Sequence, residues 1–298
     1  MILRNTYENS EILLKPNELN ELIGDQKSSD LIIIDTRPSP EFCNAHIEGA
    51  AHLDLYGISL NDTSPAPLKS FTWMLAYLME IRGVDYDKRV VFYEENSGMR
   101  SARGFWFLEY LGHENVHILD GGINSWINEG LPVSSDPWPL TGSFHDDDSG
   151  NIKAIIRTSF TEHLKEADNT KIASADYILK NMDRNDVAIH DTRSEGEFYG
   201  ETIRAARGGA IPNSIHLEWL DFVSDEGFVK PAQELRLMLE EKKLTKDKEI
   251  IPLCQGGYRS AYAYLVYRLL GYSKVRNYIG SWKEWGDRED LPIIKPKR

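Results

Sequence analysis

Short apolar runs alternate with helical patterns along the chain. Four such runs stand out: Leu31–Asp35 (LIIID), Arg89–Tyr93 (RVVFY), Val187–Asp191 (VAIHD) and Glu249–Leu253 (EIIPL). Polar residues bound each run, which is typical of strands buried on both faces of a parallel sheet. The stretch Ser260–Gly271 (SAYAYLVYRLLG) carries apolar residues at helical spacing and ends on a glycine, as helices often do. Strands alternating with helices predict an α/β fold in which helices cover a mostly parallel sheet.

The chain also repeats itself at a distance of about half its length. The Asp-Thr-Arg triplet that starts at Asp35 recurs at Asp191, an offset of 156 residues (191 − 35). The Arg-Ser-Ala triplets that start at Arg100 and Arg259 are offset by 159 residues (259 − 100). A repeat of this length indicates a duplicated domain rather than a solenoid unit. We therefore predict two α/β domains, each with a mostly parallel sheet flanked by helices.

Composition suggests where the two domains meet. Residues 134–151 (SSDPWPLTGSFHDDDSGN) are rich in proline, glycine, serine and aspartate, which is typical of a linker. We expect a first domain at residues 1–138, a connector at residues 139–170 and a second domain at residues 171–298.

Bulk composition narrows the class of protein. The chain has 298 residues, 41% apolar and 27% charged, which suits a globular protein with two cores. It shows no signal-like segment and no apolar run near the roughly 18 residues of a membrane span, so we expect a cytoplasmic protein without membrane association. The net charge of −13 argues against nucleic-acid binding. Cys43 and Cys254 are too few for a disulfide framework or a four-cysteine zinc site, and we expect neither metal nor cofactor.

Cys254 lies between a predicted strand and a predicted helix, where ligands bind in open α/β sheets. Gly256 and Gly257 tolerate positive φ, so the loop can turn its backbone N–H groups toward the sulfur and form an anion cradle. These groups and Arg259 should lower the thiol pKa below its usual value of about 8.5. A lone cysteine is more often a small buried apolar residue, and this is the interpretation we give Cys43.

Together these motifs resemble the tandem-domain rhodaneses, a family of sulfurtransferases. The resemblance rests on the two Asp-Thr-Arg strand ends, the HIEGA segment from His46, the Cys-x-x-Gly-x-Arg loop, and the YIGSWKEWG tail from Tyr278, and it runs from about Pro16 to Pro292. It implies a catalytic second domain, a first domain without the nucleophile, and an active site in the cleft between them. Counting back five residues from Arg100 places Glu95 at the position of the cysteine.

The resemblance also implies a mechanism. The Cys254 thiolate takes the outer sulfur of thiosulfate, expels sulfite, and passes the sulfur from a persulfide to cyanide or a thiol. The substrate would then lie against the loop residues that follow the cysteine: Gln255, Gly256, Gly257, Tyr258 and Arg259. Their sequence matches neither the Cys-Arg-Lys-Gly-Val-Thr loop of animal thiosulfate enzymes nor the Cys-Gly-Ser-Gly-Val-Thr loop of mercaptopyruvate enzymes. The donor, thiosulfate or 3-mercaptopyruvate, therefore stays open.

Charged residues near the implied cleft have two interpretations each. Arg204 and Arg207 are candidates for binding the donor's anionic end, or are simply solvated. Arg259 either anchors substrate or ties the loop to the helix. Glu197 stands where thiosulfate-binding relatives carry an arginine, and its charge would repel a dianion unless an arginine compensates it.

A buried pair between Asp191 and Arg193 is expected to support the strand end, with Asp35 and Arg37 doing the same in the first domain.

Two rival functions remain. Cysteine phosphatases and arsenate reductases use a similar cradle, but five residues separate their cysteine from their arginine, whereas four residues separate Cys254 from Arg259. The shorter loop favours transfer of a single sulfur atom. The other rival is a non-catalytic persulfide carrier or regulatory module, which the retained cysteine and cradle make less attractive.

Overall fold

A five-stranded parallel sheet forms the first half of the protein in a computed structural model, which describes residues 6–24, 30–136 and 167–298 and the backbone of two short strands between them. The strands of this half, of which five form the sheet, are β1 (Leu13–Leu14), β2 (Leu31–Asp35), β3 (His46–Ile47), β4 (Ala51–His52), β5 (Arg89–Tyr93), β6 (Val116–Leu119) and β7 (Val133–Ser134). The sheet has the order β1-β6-β5-β2-β4, while β3 and β7 pair separately in antiparallel fashion.

Helices flank this sheet, and they are α1 (Pro16–Gly24), α2 (Ser39–Asn44), α3 (Pro65–Glu80), α4 (Met99–Tyr110) and α5 (Gly122–Asn128). Two further strands, β8 (Phe144–Asp146) and β9 (Ile152–Ala154), form an antiparallel pair within the expected connector. The rest of that connector up to residue 166 lies outside the described residues, so the domain limits at residues 138 and 171 stay predictions.

The second half repeats the plan of the first. Its strands are β10 (Val187–Asp191), β11 (Ile215–His216) and β12 (Glu249–Leu253), and its helices are α6 (Ala175–Asn181), α7 (Glu195–Phe198), α8 (Ala232–Glu241), α9 (Arg259–Leu269) and α10 (Ser281–Asp287). The sheet order is β11-β10-β12, all parallel. Single parallel bridges, Ile250 to Val275 and Ile172 to Asn277, continue the sheet where β6 and β1 lie in the first half.

The four apolar runs of the sequence are four central strands with the predicted limits, and their parallel pairing confirms the predicted fold class. In both halves the strand that ends in the Asp-Thr-Arg triplet pairs along its whole length with a second central strand, β5 or β12. Asp35 lies opposite Tyr93, and Asp191 lies opposite Leu253. The predicted helix end is also observed, since α9 is followed by Gly271 with φ of 78°. Positive φ is a conformation that glycine adopts without steric penalty.

Helices α4 and α9 pack against each other and join the two halves into one hydrophobic core. Nearly every side chain from Ser101 to Leu108 and from Ser260 to Tyr267 is buried there. A polar contact closes the end of this interface, because Glu109 accepts a hydrogen bond of 2.6 Å from the Tyr264 hydroxyl and pairs with Arg268. Helix α4 starts after the loop that follows β5, and α9 starts after the loop that follows β12. The interface between the helices therefore places the two loops near one another.

Within the described part of the chain, no helix is both long enough and apolar enough to cross a membrane.

Candidate active site

Cys254 lies directly after β12, and the five residues 254–258, here called the Cys254 loop, lead into α9. Its side chain is 1% exposed. The Gly257 N–H points back at the sulfur and donates to Sγ across 3.1 Å. The backbone N–H of Cys254 itself donates to Ser281 Oγ at 3.1 Å, which fixes the residue against the start of α10. The sulfur is thus held at the base of a loop with inward-facing amides.

The surroundings of Cys254 favour the thiolate. Burial raises the pKa of a thiol, but the positive charge of Arg259 and the N–H groups of Ser260 and Gly256 outweigh burial and lower the pKa of Cys254. The N-terminal end of α9 adds its partial positive charge in the same direction. A thiolate is the nucleophilic form of cysteine, so the loop holds the residue ready to attack an electrophilic sulfur.

The two glycines of the loop have different backbone conformations. Gly257 has φ of 84°, and a Cβ there would come within 2.9 Å of the Ile279 carbonyl oxygen, so glycine is required. Gly256, which could also have adopted positive φ, has φ outside that region, and a Cβ there would meet Ser59 Oγ at 3.5 Å and Tyr258 Cε2 at 4.0 Å. Only the second glycine therefore shapes the turn that aims its N–H at the sulfur.

Tyr258 ties the loop to the first half of the protein. Its hydroxyl donates to the carbonyl oxygens of Leu55 at 3.0 Å and Ile58 at 3.2 Å. The Ser59 hydroxyl donates to the Tyr258 hydroxyl oxygen at 3.4 Å. The segment between β4 and α3 thus covers one side of the Cys254 loop, and the site lies between the two halves.

Arg259 is held by Glu197. Its two terminal nitrogens donate to the two carboxylate oxygens at 2.6 and 2.9 Å. Burial raises the pKa of Glu197, but the bonds and charge of Arg259 and the hydrogen bonds from Ser194 prevail and lower it to about 2. Glu197 is therefore ionised at neutral pH, and its negative charge is balanced by that of Arg259. The geometry favours the interpretation in which Arg259 ties the loop to its surroundings.

Arg204 and Arg207 differ in what their guanidinium groups contact. Arg204 is about half exposed and lies 3.5 Å from Glu197, at the rim of the site. Its carbonyl oxygen accepts a hydrogen bond of 2.8 Å from the Gln255 amide, so the segment that carries it is fixed to the loop. Arg207 points elsewhere: its guanidinium donates to the carbonyl oxygens of residues 285, 286, 288 and 291. We therefore correct the expectation for Arg207, whose donors are used in holding the C-terminal segment.

Asp191 and Arg193 form a buried bidentate pair behind the loop. Arg193 Nη2 donates to Asp191 Oδ2 at 2.6 Å and to the Gly209 carbonyl oxygen at 2.7 Å, and its guanidinium carbon lies 4.2 Å from the centre of the Trp282 ring. Asp35 and Arg37 repeat the pair in the first half. Each pair fixes the carboxyl end of the strand beside the loop, and neither contacts the sulfur.

The first half carries a closed copy of the loop, and the residue at the cysteine position is Glu94 rather than Glu95. The Ile123 N–H donates to the Glu94 carbonyl oxygen at 2.9 Å, as the Trp282 N–H donates to that of Cys254 at 2.9 Å. Counting back five residues fails because this loop is one residue longer, with five residues between Glu94 and Arg100. The prediction that the first loop lacks a nucleophile is unaffected.

The Glu94 carboxylate fills its own cradle. Oε1 accepts the N–H groups of Arg100 at 2.7 Å and Ser101 at 2.9 Å, at the start of α4. A Cβ at Gly98 would lie only 2.6 Å from the Glu94 carboxyl carbon, so the glycine backbone packs directly against the carboxyl group. Burial is the largest influence on this group and raises the pKa of Glu94 to about 7.

Arg103 is the residue at this site that the sequence analysis missed. It is fully buried in α4 of the first half, yet it donates to the Gly256 carbonyl oxygen at 2.9 Å in the Cys254 loop. A signal was present, because an arginine inside the otherwise apolar stretch of α4 needs a buried partner. The sequence could not name that partner.

Among the described residues, no cluster of side chains suits a metal ion.

Comparison with known proteins places this geometry in a family. The profile of the rhodanese-like domain matches residues 15–129 and again residues 174–288. The chain therefore belongs to the rhodanese family, with two rhodanese-like domains in tandem.

Three curated relatives span most of the chain. A thiosulfate sulfurtransferase of Azotobacter vinelandii is 30% identical, over 95% of this chain and 96% of its own length. The sulfur carrier protein TtuD of Thermus thermophilus is 30% identical, over 97% and 98%. A 3-mercaptopyruvate sulfurtransferase of Mus musculus is 31% identical, over 82% and 78%.

Among solved structures, an anaerobic ergothioneine biosynthesis enzyme from Chlorobium limicola superimposes with a TM-score of 0.79 at 20% identity, over 98% of this chain and 72% of that one, which supports the fold alone.

Proposed function

We propose that the protein is a thiosulfate sulfurtransferase that carries the transferred sulfur on Cys254. The observation that carries the proposal is the Gly257 N–H, 3.1 Å from Sγ, in a loop whose surroundings lower the thiol pKa. Family membership and the similarity to relatives with sulfur-transfer names support the class of reaction. A cytoplasmic location belongs to the same proposal, since a reducing compartment keeps a free nucleophilic thiol unoxidised.

The first step loads the enzyme. The Cys254 thiolate attacks the outer sulfur of thiosulfate, a new S–S bond forms, and the bond to the sulfonate sulfur breaks with its electron pair, releasing sulfite. The outer sulfur of the resulting persulfide would take the position at which the loop amides converge. Ser260 supports this arrangement, because its buried hydroxyl bonds to no other group among the described residues and contributes, as a donor toward the sulfur, to the lowered pKa of Cys254.

The second step unloads it. A nucleophile such as cyanide or a thiolate attacks the outer sulfur, the S–S bond breaks, and its electron pair returns to Cys254 as thiolate. Because the Cys254 loop favours the thiolate, it also makes Cys254 a good leaving group. The donor leaves before the acceptor reacts, and the persulfide form of the enzyme links the two displacements. Ping-pong kinetics are therefore expected.

The charges at the rim leave 3-mercaptopyruvate as a second candidate donor, because few cations there are free to bind a dianion. Glu197 cancels the charge of Arg259 through two hydrogen bonds, and Arg207 is committed to backbone carbonyls. Arg204 is an exposed cation beside the loop, which fits a single carboxylate as well as it fits a dianion. Comparing initial rates with the two donors in one preparation decides between them.

The test of the proposed function is sulfur transfer from thiosulfate to cyanide, followed as thiocyanate. Cys254→Ser should abolish it while leaving the unfolding transition in place, because serine preserves the size of the side chain and removes the sulfur nucleophile. Cys43→Ser is the matched control: the structure shows Cys43 exposed, so its interpretation as a small buried residue is wrong, and it lies far from the loop in sequence. This variant should retain full activity. Activity in the Cys254→Ser variant would refute the assignment.

A non-catalytic carrier remains the alternative outcome. If the wild-type protein takes up one sulfur on Cys254 but produces no thiocyanate and passes no sulfur to small thiols, the carrier function replaces the enzymatic one. The relative named as a sulfur carrier protein makes this comparison worthwhile.

A further inference from the structure

Arg103 is a cation of the non-catalytic half buried against the Cys254 loop. Its Nη1 donates to the Gly256 carbonyl oxygen at 2.9 Å, and its Nη2 donates to the Ile58 carbonyl oxygen. Its guanidinium carbon lies 3.8 Å from the centre of the Tyr258 ring. Burial lowers the pKa of Arg103 to about 10, so the side chain keeps its charge at neutral pH. Such a buried charge is retained at a cost, which its contacts must offset.

The contact with Gly256 has a geometric consequence at the sulfur. The Gly256 C=O and the Gly257 N–H belong to one planar trans peptide, so they point in opposite directions. When Arg103 holds the oxygen on one side, the hydrogen on the other side is aimed at Cys254 Sγ, 3.1 Å away. A charged donor on the carbonyl oxygen also polarises the peptide and strengthens the hydrogen bond that its N–H donates.

We propose that Arg103 is the positioning residue through which the non-catalytic domain sets the anion cradle of Cys254. It acts through the peptide between Gly256 and Gly257 and does not touch the transferred sulfur. The non-catalytic domain is then required for reactivity and not only for stability. The inference deepens the proposed function, on which it rests for the role of Cys254 as the nucleophile.

The obvious alternative is that Arg103 only holds the two halves together. It also bonds to Ile58 and stacks on Tyr258, whose hydroxyl already anchors the loop to residues 55 and 58. A purely structural role predicts a loss of stability with no change in the thiol itself. The ionisation of Cys254 therefore distinguishes the two.

The experiment titrates the thiolate of Cys254 by its ultraviolet absorbance, taken as the difference between each protein and its own Cys254→Ser counterpart, so that Cys43 cancels. Arg103→Met should move the midpoint upward by about one pH unit and slow sulfur uptake from thiosulfate at neutral pH about tenfold, as expected for the loss of one charge-assisted hydrogen bond. Arg82→Met is the matched control: Arg82 lies in the same domain, donates to the carbonyl oxygens of His52 and Leu78, and does not contact the loop.

An unchanged midpoint in Arg103→Met, with stability lowered as in Arg82→Met, would overturn the proposal. If Arg103→Met does not fold, Arg103→Lys decides, because an ammonium keeps the charge but cannot reach both carbonyl oxygens in the fork geometry of a guanidinium. Its midpoint should move in the same direction by less, and a wild-type midpoint would again overturn the proposal. The titration needs no sulfur donor, so it tests the role of Arg103 even if the wild-type protein transfers no sulfur.

Discussion

Replacing Glu197 by glutamine removes the negative charge that Arg259 holds beside the Cys254 loop. The glutamine keeps the size of the side chain and one oxygen acceptor, so the change is mainly electrostatic. In the wild-type protein Glu197 is 4% exposed at its side chain and bonds to both terminal nitrogens of Arg259 at 2.6 and 2.9 Å. Without the charge, Arg259 stays buried with weaker partners, and the free energy of unfolding should fall.

The size of the loss follows from the pKa of Glu197. Burial raises that pKa, but Arg259 and Ser194 lower it from 4.5 to about 2 in the folded state. A tenfold change in proton affinity is worth about 1.4 kcal/mol, so the folded state gains ~3 kcal/mol at neutral pH, or about 2 kcal/mol after solvent screening. Because the folded pKa is depressed, this gain is complete above the unfolded pKa of 4.5 and disappears as pH falls toward 2.

Denaturant unfolding at pH 7 and at pH 3 measures the effect. Glu197→Gln should lower the free energy of unfolding by about 2 kcal/mol at pH 7 and by clearly less at pH 3, where the wild-type carboxylate has begun to lose its advantage. Glu195→Gln is the control on the same helix, because Glu195 is exposed, and it should have little effect at either pH. An equal loss at both pH values would refute the electrostatic reasoning and point to packing instead.

Two further predictions concern the two loops. Gly257→Ala should reduce sulfur transfer at least tenfold, because φ of 84° and a contact of 2.9 Å with the Ile279 carbonyl oxygen disfavour a Cβ, whereas Gly256→Ala should retain activity; equal effects in steady-state assays would contradict the assigned turn. Glu94→Gln should stabilise the protein by up to about 3 kcal/mol at pH 8 and hardly at pH 4. Burial raises the folded-state pKa of Glu94 from 4.5 to about 7, so the wild-type protein loses stability as pH rises between those values. Unfolding at both pH values checks this, with the more exposed Glu95→Gln as control, and a gain that does not depend on pH would contradict it.

Local pattern determined the framework of this protein. Strands buried on both faces must be continuous apolar runs, so Leu31–Asp35 and Glu249–Leu253 could be placed with their limits from the sequence. The position of Cys254 at a strand end before a helix followed from the same alternation. The duplicated Asp-Thr-Arg and Arg-Ser-Ala triplets predicted two domains because a repeated sequence specifies a repeated chain path.

Partners distant in sequence were decided only by the tertiary structure. Arg207 and Arg204 are three residues apart in one loop, yet one is committed to backbone carbonyls and the other faces the site, since side-chain direction depends on what packs nearby. That Glu94 occupies, in the first half, the position of Cys254 could be recognised only from its hydrogen bond to α5, because a residue count cannot locate an insertion. The contact of Arg103 with the loop spans 153 residues, and no periodicity encodes which buried carbonyl a charged side chain will meet.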